Sequence, residues 1–404
     1  MSTKRAVVVG AGVVGTLTAE ALWNKGYEVT VVEKNDFPAL GTSFGNAGQL
    51  CGPFCLPFAA PGFLTSFFKK SFANKGVGLS FADAIKNLPW LFRFFKNCEW
   101  DRYRENSETM LRLAYESVAA LETVRLRHQL DFEFRFNCGK LYLYDSSSAL
   151  HSSNQLLQLR RQIGYDVQAL SAAECIALEP LLGKTSLNFA GGIYASDSSV
   201  GDCAVFTQKL AQRLQSKGVE FKFHTDAHHL ITSRGKVTGL ETSDGQLSGD
   251  LVVLATANGT AKLLPGALRA KYLIAPLKGY SVTLPLLGEG PKGTITDASR
   301  AVAFSVLGDS LRVTGGAFLS SSTVTHTHEI KRLLSLGKAW FPGAADYDVE
   351  PSLGWSGLRP VSPSSAPYIG RTDLEGLLIN TGHGGFGWTC AAGSAQRLVN
   401  AVVA

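Results

Sequence analysis

The sequence predicts an α/β protein of two interleaved compartments, and three observations predict it. A β-branched run, Ala6–Val9, opens directly onto the glycine turn Gly10-Ala11-Gly12-Val13-Val14-Gly15 and then a helix pattern. A second glycine-rich loop, Gly382–Gly387, precedes another helix pattern close to the C-terminus. Between them, strand-like and helix-like stretches alternate without a linker, internal repeat or low-complexity tract. Apolar runs with no polar alternation suit parallel strands buried on both faces, and such strands alternating with helices mark an α/β architecture.

In chain order, Thr16–Lys25 reads as a helix with Leu17, Ala21 and Leu22 on one face and Gly26 at its end. Tyr27–Val32 is a second buried strand, and Glu33 stands at its tip. Gly41–Gly52 is a small-residue loop, and the Pro- and Phe-rich stretch 53–72 has no clear period. Residues 83–130 read as mostly helical, 132–144 as a strand hairpin, and 149–164 and 171–178 as helices, with Ser171 and Glu174 as a capping box. Gly201-Asp202 opens a helix striped by Phe206, Leu210 and Leu214, and Val219–Phe223 follows as a strand. Two turns, Arg234-Gly235-Lys236 and Ser243-Asp244-Gly245, divide the next strands, and Leu251–Ala255 is another buried one. The region 272–318 is strand-rich and 328–341 helical; a Gly- and Pro-dense block at 354–370 precedes a strand at 377–380 and a closing helix from Thr389.

Composition excludes several classes. Apolar residues make up 45 % of the 404 and charged residues 18 %, which supports a sizeable core and argues against disorder. The net charge of +6 is spread without a run of five basic residues, so a mildly basic enzyme is expected and a nucleic-acid binder is not. Seven scattered cysteines make neither a zinc pattern nor a disulfide framework; reduced thiols in a cytoplasmic compartment are expected, with no metal and no catalytic cysteine. Lys4-Arg5 before an apolar run resembles a secretion signal, but Gly10, Gly12 and Gly15 break the run and a strand explains it better. No apolar stretch reaches the ~18 residues of a membrane span.

The chemistry starts at the first glycine turn. Glycines let backbone N–H groups approach a pyrophosphate at the N-terminus of the helix, where Val13 and Val14 lie, and Glu33 is placed to accept hydrogen bonds from ribose hydroxyls. An acid at 33 favours an unphosphorylated ribose, hence NAD or FAD over NADP. The cofactor-binding set extends to Lys34 beside Glu33 and to Ala227. The second loop separates NAD from FAD. Gly382-His383-Gly384-Gly385-Phe386-Gly387-Trp388-Thr389 offers backbone amides at a helix start, which suits the electron-rich pyrimidine end of a reduced flavin; a purely structural loop is the competing reading.

The segments Gly357-Leu358-Arg359-Pro360, Ser362-Pro363, Pro367-Tyr368-Ile369-Gly370 and Gly382–Thr389 resemble the C-terminal signature of the D-amino-acid dehydrogenase small-subunit family. This family belongs to the wider group of D-amino-acid, glycine and sarcosine oxidases. Thr42-Ser43-Phe44-Gly45-Asn46-Ala47-Gly48-Gln49, Gly201-Asp202-Cys203 and Pro276-Leu277-Lys278-Gly279-Tyr280-Ser281 match as well, so the resemblance runs from about residue 4 to 400. It implies FAD as cofactor, bound by a domain of glutathione-reductase type (a Rossmann-like ββα sandwich) interleaved with a mixed-sheet α+β substrate domain. The expected division is 1–60, 201–261 and 352–404 for FAD, 130–200 and 262–351 for substrate, and 61–129 as a helical bridge.

By the same resemblance, Arg359 clamps the substrate carboxylate, which its planar fork also suits on chemical grounds; a surface-turn arginine is the alternative. Tyr280 is a second carboxylate ligand or else a packed strand tyrosine. Thr42, Ser43, Asn46, Ala47, Gly48 and Gln49 line the flavin, and His383 is read as structural before base. The implied reaction is oxidative deamination of a small amino acid, preferably a D-amino acid, by hydride transfer to flavin. A glycine-, sarcosine- or proline-type amine oxidase, and a flavoprotein subunit without turnover, are the other readings. The family's dehydrogenases pass electrons to membrane quinones and its oxidases to oxygen, and Phe54–Phe72 with Lys69 and Lys70 is either a peripheral contact with the inner face of a membrane or a loop packed over the flavin pocket. One departure concerns the loop after Leu251–Ala255, where relatives carry glycine and this chain has Ala257.

Overall fold

The computed structural model describes residues 4–72 and 75–403. A six-stranded sheet runs in the order Glu220–Lys222, Glu28–Val32, Arg5–Val9, Leu251–Leu254, Leu377–Thr381, Tyr368–Arg371. All neighbours are parallel except the edge strand Tyr368–Arg371. The alternation of side chains explains why its runs are apolar throughout. Ala6, Val8, Val253 and Leu378 face a helical layer with Leu17 and Leu398, whereas Val7, Val9, Leu254 and Ile379 face Val237 and Leu240. The helical layer is Val13–Trp23, Gly387–Val403 and Trp100–Arg127. The opposite layer is a three-stranded antiparallel sheet, Ala227–Ser233, Lys236–Thr242 and Gly245–Ser248.

A nine-stranded mixed sheet forms the other compartment. Its edge strand Trp355–Val361 pairs with Ala275–Pro285, which pairs with Ser310–Leu319. The helix Thr327–Trp340 buries Ile330, Leu333 and Trp340 against Tyr280, Val282 and Phe304 of this sheet. The chain passes between the two large sheets several times, so the compartments interleave as the sequence predicts.

Most elements lie within a few residues of their predicted limits, and the capping box at Ser171 and Glu174 is present. Asp202 caps the helix Cys203–Gln215 by accepting from the N–H groups of Ala204 (2.8 Å) and Val205 (3.1 Å). The hairpin expected at 132–144 does not form. Phe134–Arg135 pairs with Ser199–Gly201, whereas Lys140–Tyr144 enters the nine-stranded sheet. Asn137 and Gly139 between them take positive φ of 48° and 78° and redirect the chain. The block 354–370 holds two strands that its Gly and Pro density hides; Pro360 is accommodated because its strand is an edge.

Candidate active site

Three glycines shape the first turn for different reasons. Gly10 has φ +101°, and a Cβ there would come 2.8 Å from the carbonyl oxygen of Ala255 in the neighbouring strand. A Cβ at Gly15 would come 1.8 Å from the carbonyl oxygen of Gly10, so Gly15 seats the helix on the strand and does not face a ligand. Gly12 precedes the helix Val13–Trp23, where a Cβ would make only an ordinary contact, 3.5 Å from Ser43 Oγ, which accepts from Val13 N at 3.2 Å. Glu33, buried at the strand tip, accepts from Ala11 N (2.7 Å) and from Asn35 N (3.0 Å), which braces its carboxylate across the turn.

A cavity of about 550 Å³ runs from this turn across the molecule. One end is bounded by Glu33, Lys34, Thr225, Asp226 and Ala227, the middle by Gly10, Gly12, Val13, Val14, Thr42, Ser43 and Asn46, and the other end by Leu358, His383, Gly384, Gly387 and Trp388. The walls come from both sheets, because Thr42 Oγ1 (2.8 Å) and Asn258 Nδ2 (2.9 Å) both donate to the carbonyl of Leu358. The Oδ1 atom of Asn258 is buried and has no hydrogen-bond partner among the described residues.

Arg359 lies beyond the far end. Its Nη1 donates to the carbonyl of Gly316 at 2.7 Å, and its stem passes Gly385, where a Cβ would sit 3.6 Å from Arg359 Cδ and 3.6 Å from Phe58 Cζ. Burial pulls the guanidinium down to about 10, and no carboxylate among the described residues acts against that pull. A half-buried guanidinium with one protein acceptor keeps further N–H donors for an anion. His383 shares a hydrogen bond with Ser394 Oγ at 3.0 Å, and burial lowers its imidazole to about 3, so it is neutral at ordinary pH.

A model of the FAD dependent oxidoreductase family matches residues 5–401. The chain belongs to the FAD-dependent oxidoreductases. Among its relatives are a D-amino acid dehydrogenase of Allorhizobium ampelinum, 35 % identical over 98 % of this chain and 94 % of the relative, and D-amino acid dehydrogenase 1 of Mesorhizobium japonicum, 34 % identical over 98 % and 94 %. Among solved structures, glycine oxidase from Bacillus cereus is similar at a TM-score of 0.72 and 20 % identity, covering 99 % of this chain and 95 % of that one. L-Proline dehydrogenase from P. horikoshii is similar at 0.74 and 17 %, covering 99 % and 93 %. At these identities the solved structures speak to the fold alone.

The cofactor of this oxidoreductase family is FAD, and the cavity fits it. Gly12 in the lining, the helix N-terminus behind it, the carboxylate of Glu33 at one end and the orphaned Asn258 Oδ1 in the wall are features an extended dinucleotide satisfies. Gly10, Gly12, Val13, Val14, Glu33, Lys34, Thr42, Ser43, Asn46, Ala227, His383, Gly384, Gly387 and Trp388 from the sequence-based set line it.

Other members of that set do not line it. Gly15 packs helix on strand, and Ala47, Gly48 and Gln49 sit behind the wall. Gln49 is buried, donating from Nε2 to Phe304 O (3.2 Å) and accepting from Lys140 Nζ. Gly48 accepts from Trp388 Nε1 (3.3 Å), and Thr389 donates to the carbonyl of Gln49 (3.3 Å). Gly382, at φ +85°, shapes the turn, and Gly385 and Phe386 face Arg359 and Phe58. Tyr280 is the clearest correction: it is 2 % exposed and packs edge-on to Phe318 in the core under the helix Thr327–Trp340. In the strand pairing it stands opposite Ser356, out of phase with Arg359 opposite Leu277, so the two side chains leave the sheet on opposite faces.

In the Phe-rich segment, Phe54 and Phe58 follow the packed-loop reading. Phe54 is 6 % exposed and stacks on Tyr142, and Phe58 stacks on Phe386, so its first half is packed inside. The side chains of Lys69 and Lys70 lie outside the described residues. Sequence reasoning missed Asn258, Trp355 and Leu358 in the cavity wall; the nearby glycines Gly259 and Gly357 are the one local signal for them.

Proposed function

We propose that the chain is a D-amino-acid dehydrogenase. It removes the α-hydrogen and its electron pair from a D-amino acid, and water converts the resulting imino acid to a 2-keto acid and ammonia. Bound FAD supplies the acceptor for that electron pair. Arg359 holds the substrate carboxylate through the donors it does not spend on Gly316, and this fixes the α-carbon at the Gly384 end of the cavity. Phe58, Phe386 and Trp355 keep the surroundings apolar. His383 takes no proton, since it is neutral and bound to Ser394. The FAD domain is assigned to 1–60, 201–261 and 352–404 and the substrate domain to 130–200 and 262–351, with 61–129 bridging them, except that the strand Trp355–Val361, and Arg359 with it, joins the sheet of the substrate domain.

The observation that carries this reading is a half-buried arginine, without a carboxylate partner among the described residues, in the strand whose Gly357, Leu358 and Pro360 line a dinucleotide-sized cavity. The names of relatives at 34 % and 35 % identity favour D-amino acids over secondary amines. The test is an anaerobic titration of the flavin-loaded protein with D- and L-amino acids, glycine, sarcosine and proline, on the parent and on Arg359→Ala. Bleaching of the flavin band by D-amino acids, with saturation lost in Arg359→Ala while FAD remains bound, supports the assignment. Near-normal saturation in the variant overturns it.

We also place the electron acceptor in a membrane, with a quinone as the class. Among the described residues, no helix is long and apolar enough to cross one. The short helices Phe81–Lys86 and Leu88–Lys96 turn Phe81 (83 % exposed), Leu88 (57 %) and Phe92 (63 %) to solvent beside the exposed cations Lys86, Arg93 and Lys96. Exposed apolar side chains interleaved with cations suit the inner surface of an anionic bilayer. The buried side of the second helix packs near the site, Trp90 Nε1 donating to the carbonyl of Val361 at 2.8 Å, two residues from Arg359.

A further inference from the structure

We propose that Phe58 sets the size of substrate side chain the enzyme accepts. The inference rests on the D-amino-acid reading and deepens it. The ring of Phe58 stacks on Phe386 of the C-terminal glycine loop, centroids 5.8 Å apart and planes 24° apart. Its edge closes over two consecutive glycines of that loop. A Cβ at Gly384 would meet Phe58 Cε2 at 3.5 Å, and a Cβ at Gly385 would meet Phe58 Cζ at 3.6 Å, the same distance at which it would meet Arg359 Cδ. The tip of the ring and the stem of the arginine therefore stand beside each other over Gly385.

Gly384 lines the cavity, and the ring of Phe58 and the stem of Arg359 lie together behind Gly384 and Gly385 at that end. A carboxylate held by Arg359 fixes the α-carbon one bond away, and the substrate side chain must then find room among the apolar groups at that end. The ring of Phe58, beside the arginine stem over Gly385, is one of these. Its backbone is anchored independently, by N–H donation to Ser365 Oγ at 3.0 Å, so shortening the side chain leaves the segment tied down. The ring's other neighbours are a plain packing cluster that includes Trp90 and Val361. Removing this ring from behind the cavity's end opens space for several methylene groups, each worth about a factor of ten or more in discrimination.

The experiment is the reductive half-reaction of the flavin-loaded protein, followed anaerobically with D-alanine, D-valine, D-leucine and D-phenylalanine, for the parent, Phe58→Leu and Phe58→Ala. The ratio of kcat/KM for D-phenylalanine to that for D-alanine is expected to rise at least about tenfold in Phe58→Ala and less in Phe58→Leu. Phe58→Leu keeps the inference testable if the alanine variant does not fold. An unchanged ratio in a folded, flavin-loaded variant overturns it, and so does an equal loss for every substrate, which would mark Phe58 as packing alone. If no D-amino acid bleaches the parent, the dehydrogenase reading itself has failed; if D-amino acids bleach the parent and the ratio stays fixed, only the role of Phe58 has.

Discussion

The guanidinium of Arg359 lies directly over Gly279: a Cβ at Gly279 would come 2.2 Å from Arg359 Nη2 and 2.4 Å from Cζ. The two belong to adjacent strands, with Leu277 opposite Arg359 and Gly279 opposite Gly357. The missing side chain is thus what lets the arginine lie flat against the sheet. Gly279→Ala is expected to displace the fork and raise the half-saturating concentration of D-amino acid by about 100-fold. FAD binding should remain, because Gly279 does not line the cavity. Stopped-flow flavin reduction measures this, and unchanged saturation in the variant contradicts the placement.

Ala257 takes φ +52° in the cavity wall, a left-handed conformation that suits glycine. A non-glycine residue there costs about 1–2 kcal/mol, and the extra flexibility of glycine in the unfolded chain returns part of that. Ala257→Gly is expected to stabilise the protein by about 0.5–1 kcal/mol and to raise the Tm by about 1–3 °C. It should also tighten FAD, since the same change removes a methyl group from the wall. Thermal melting and fluorescence titration of the FAD-free protein are the measurements; a lower Tm contradicts the strain.

Burial lowers His383 from its ordinary value of 6.5 to about 3. Above pH 6.5 the imidazole is neutral in both the folded and the unfolded chain, so it contributes no pH dependence. Between 6.5 and about 3 the unfolded chain takes up a proton that the folded one refuses. Stability therefore drops as the pH is lowered across that window, by up to about 1.4 kcal/mol per unit, and the effect levels off below it. His383→Gln should show a shallower decline in urea midpoint between pH 6.5 and 4 than the parent. Equal slopes contradict the buried neutral imidazole. No ionisation near 6.5 in kcat/KM should trace to His383.

The exposed face built from Phe81, Leu88 and Phe92 gives a separate prediction. Phe81→Glu with Phe92→Glu should weaken co-sedimentation with vesicles containing anionic lipid by at least about tenfold, because two apolar anchors are lost and two like charges added. Anaerobic flavin reduction by substrate should be untouched, as neither residue lines the cavity. Undiminished vesicle binding removes this face as the contact surface.

Much of the architecture is legible in the sequence because local rules decide it. Gly10, Gly12 and Gly15 between two apolar strands, with Glu33 at the second strand's tip, place a dinucleotide turn by steric necessity alone. Asp202 and Ser171 mark their helix starts through caps that act over three residues. The hairpin expected at 132–144 fails since the positive φ at Asn137 and Gly139 sends adjacent strands to different sheets, a choice made by distant partners.

The sequence by itself determined the α/β class and a dinucleotide-binding turn with Glu33 at its partner strand's tip, which rest on local pattern, whereas FAD and the role of Arg359 followed from the second glycine loop and the family resemblance. Only the tertiary structure decided which side chains share a space. It turned Tyr280 into the core and Arg359 to the opposite face of the sheet, because neighbouring strands fix the face to which each residue points. It put Gln49 behind the cavity wall, brought Asn258 into it, and set the ring of Phe58 beside an arginine about 300 positions away in the chain. Such encounters depend on long-range packing of two sheets, and no local pattern encodes them.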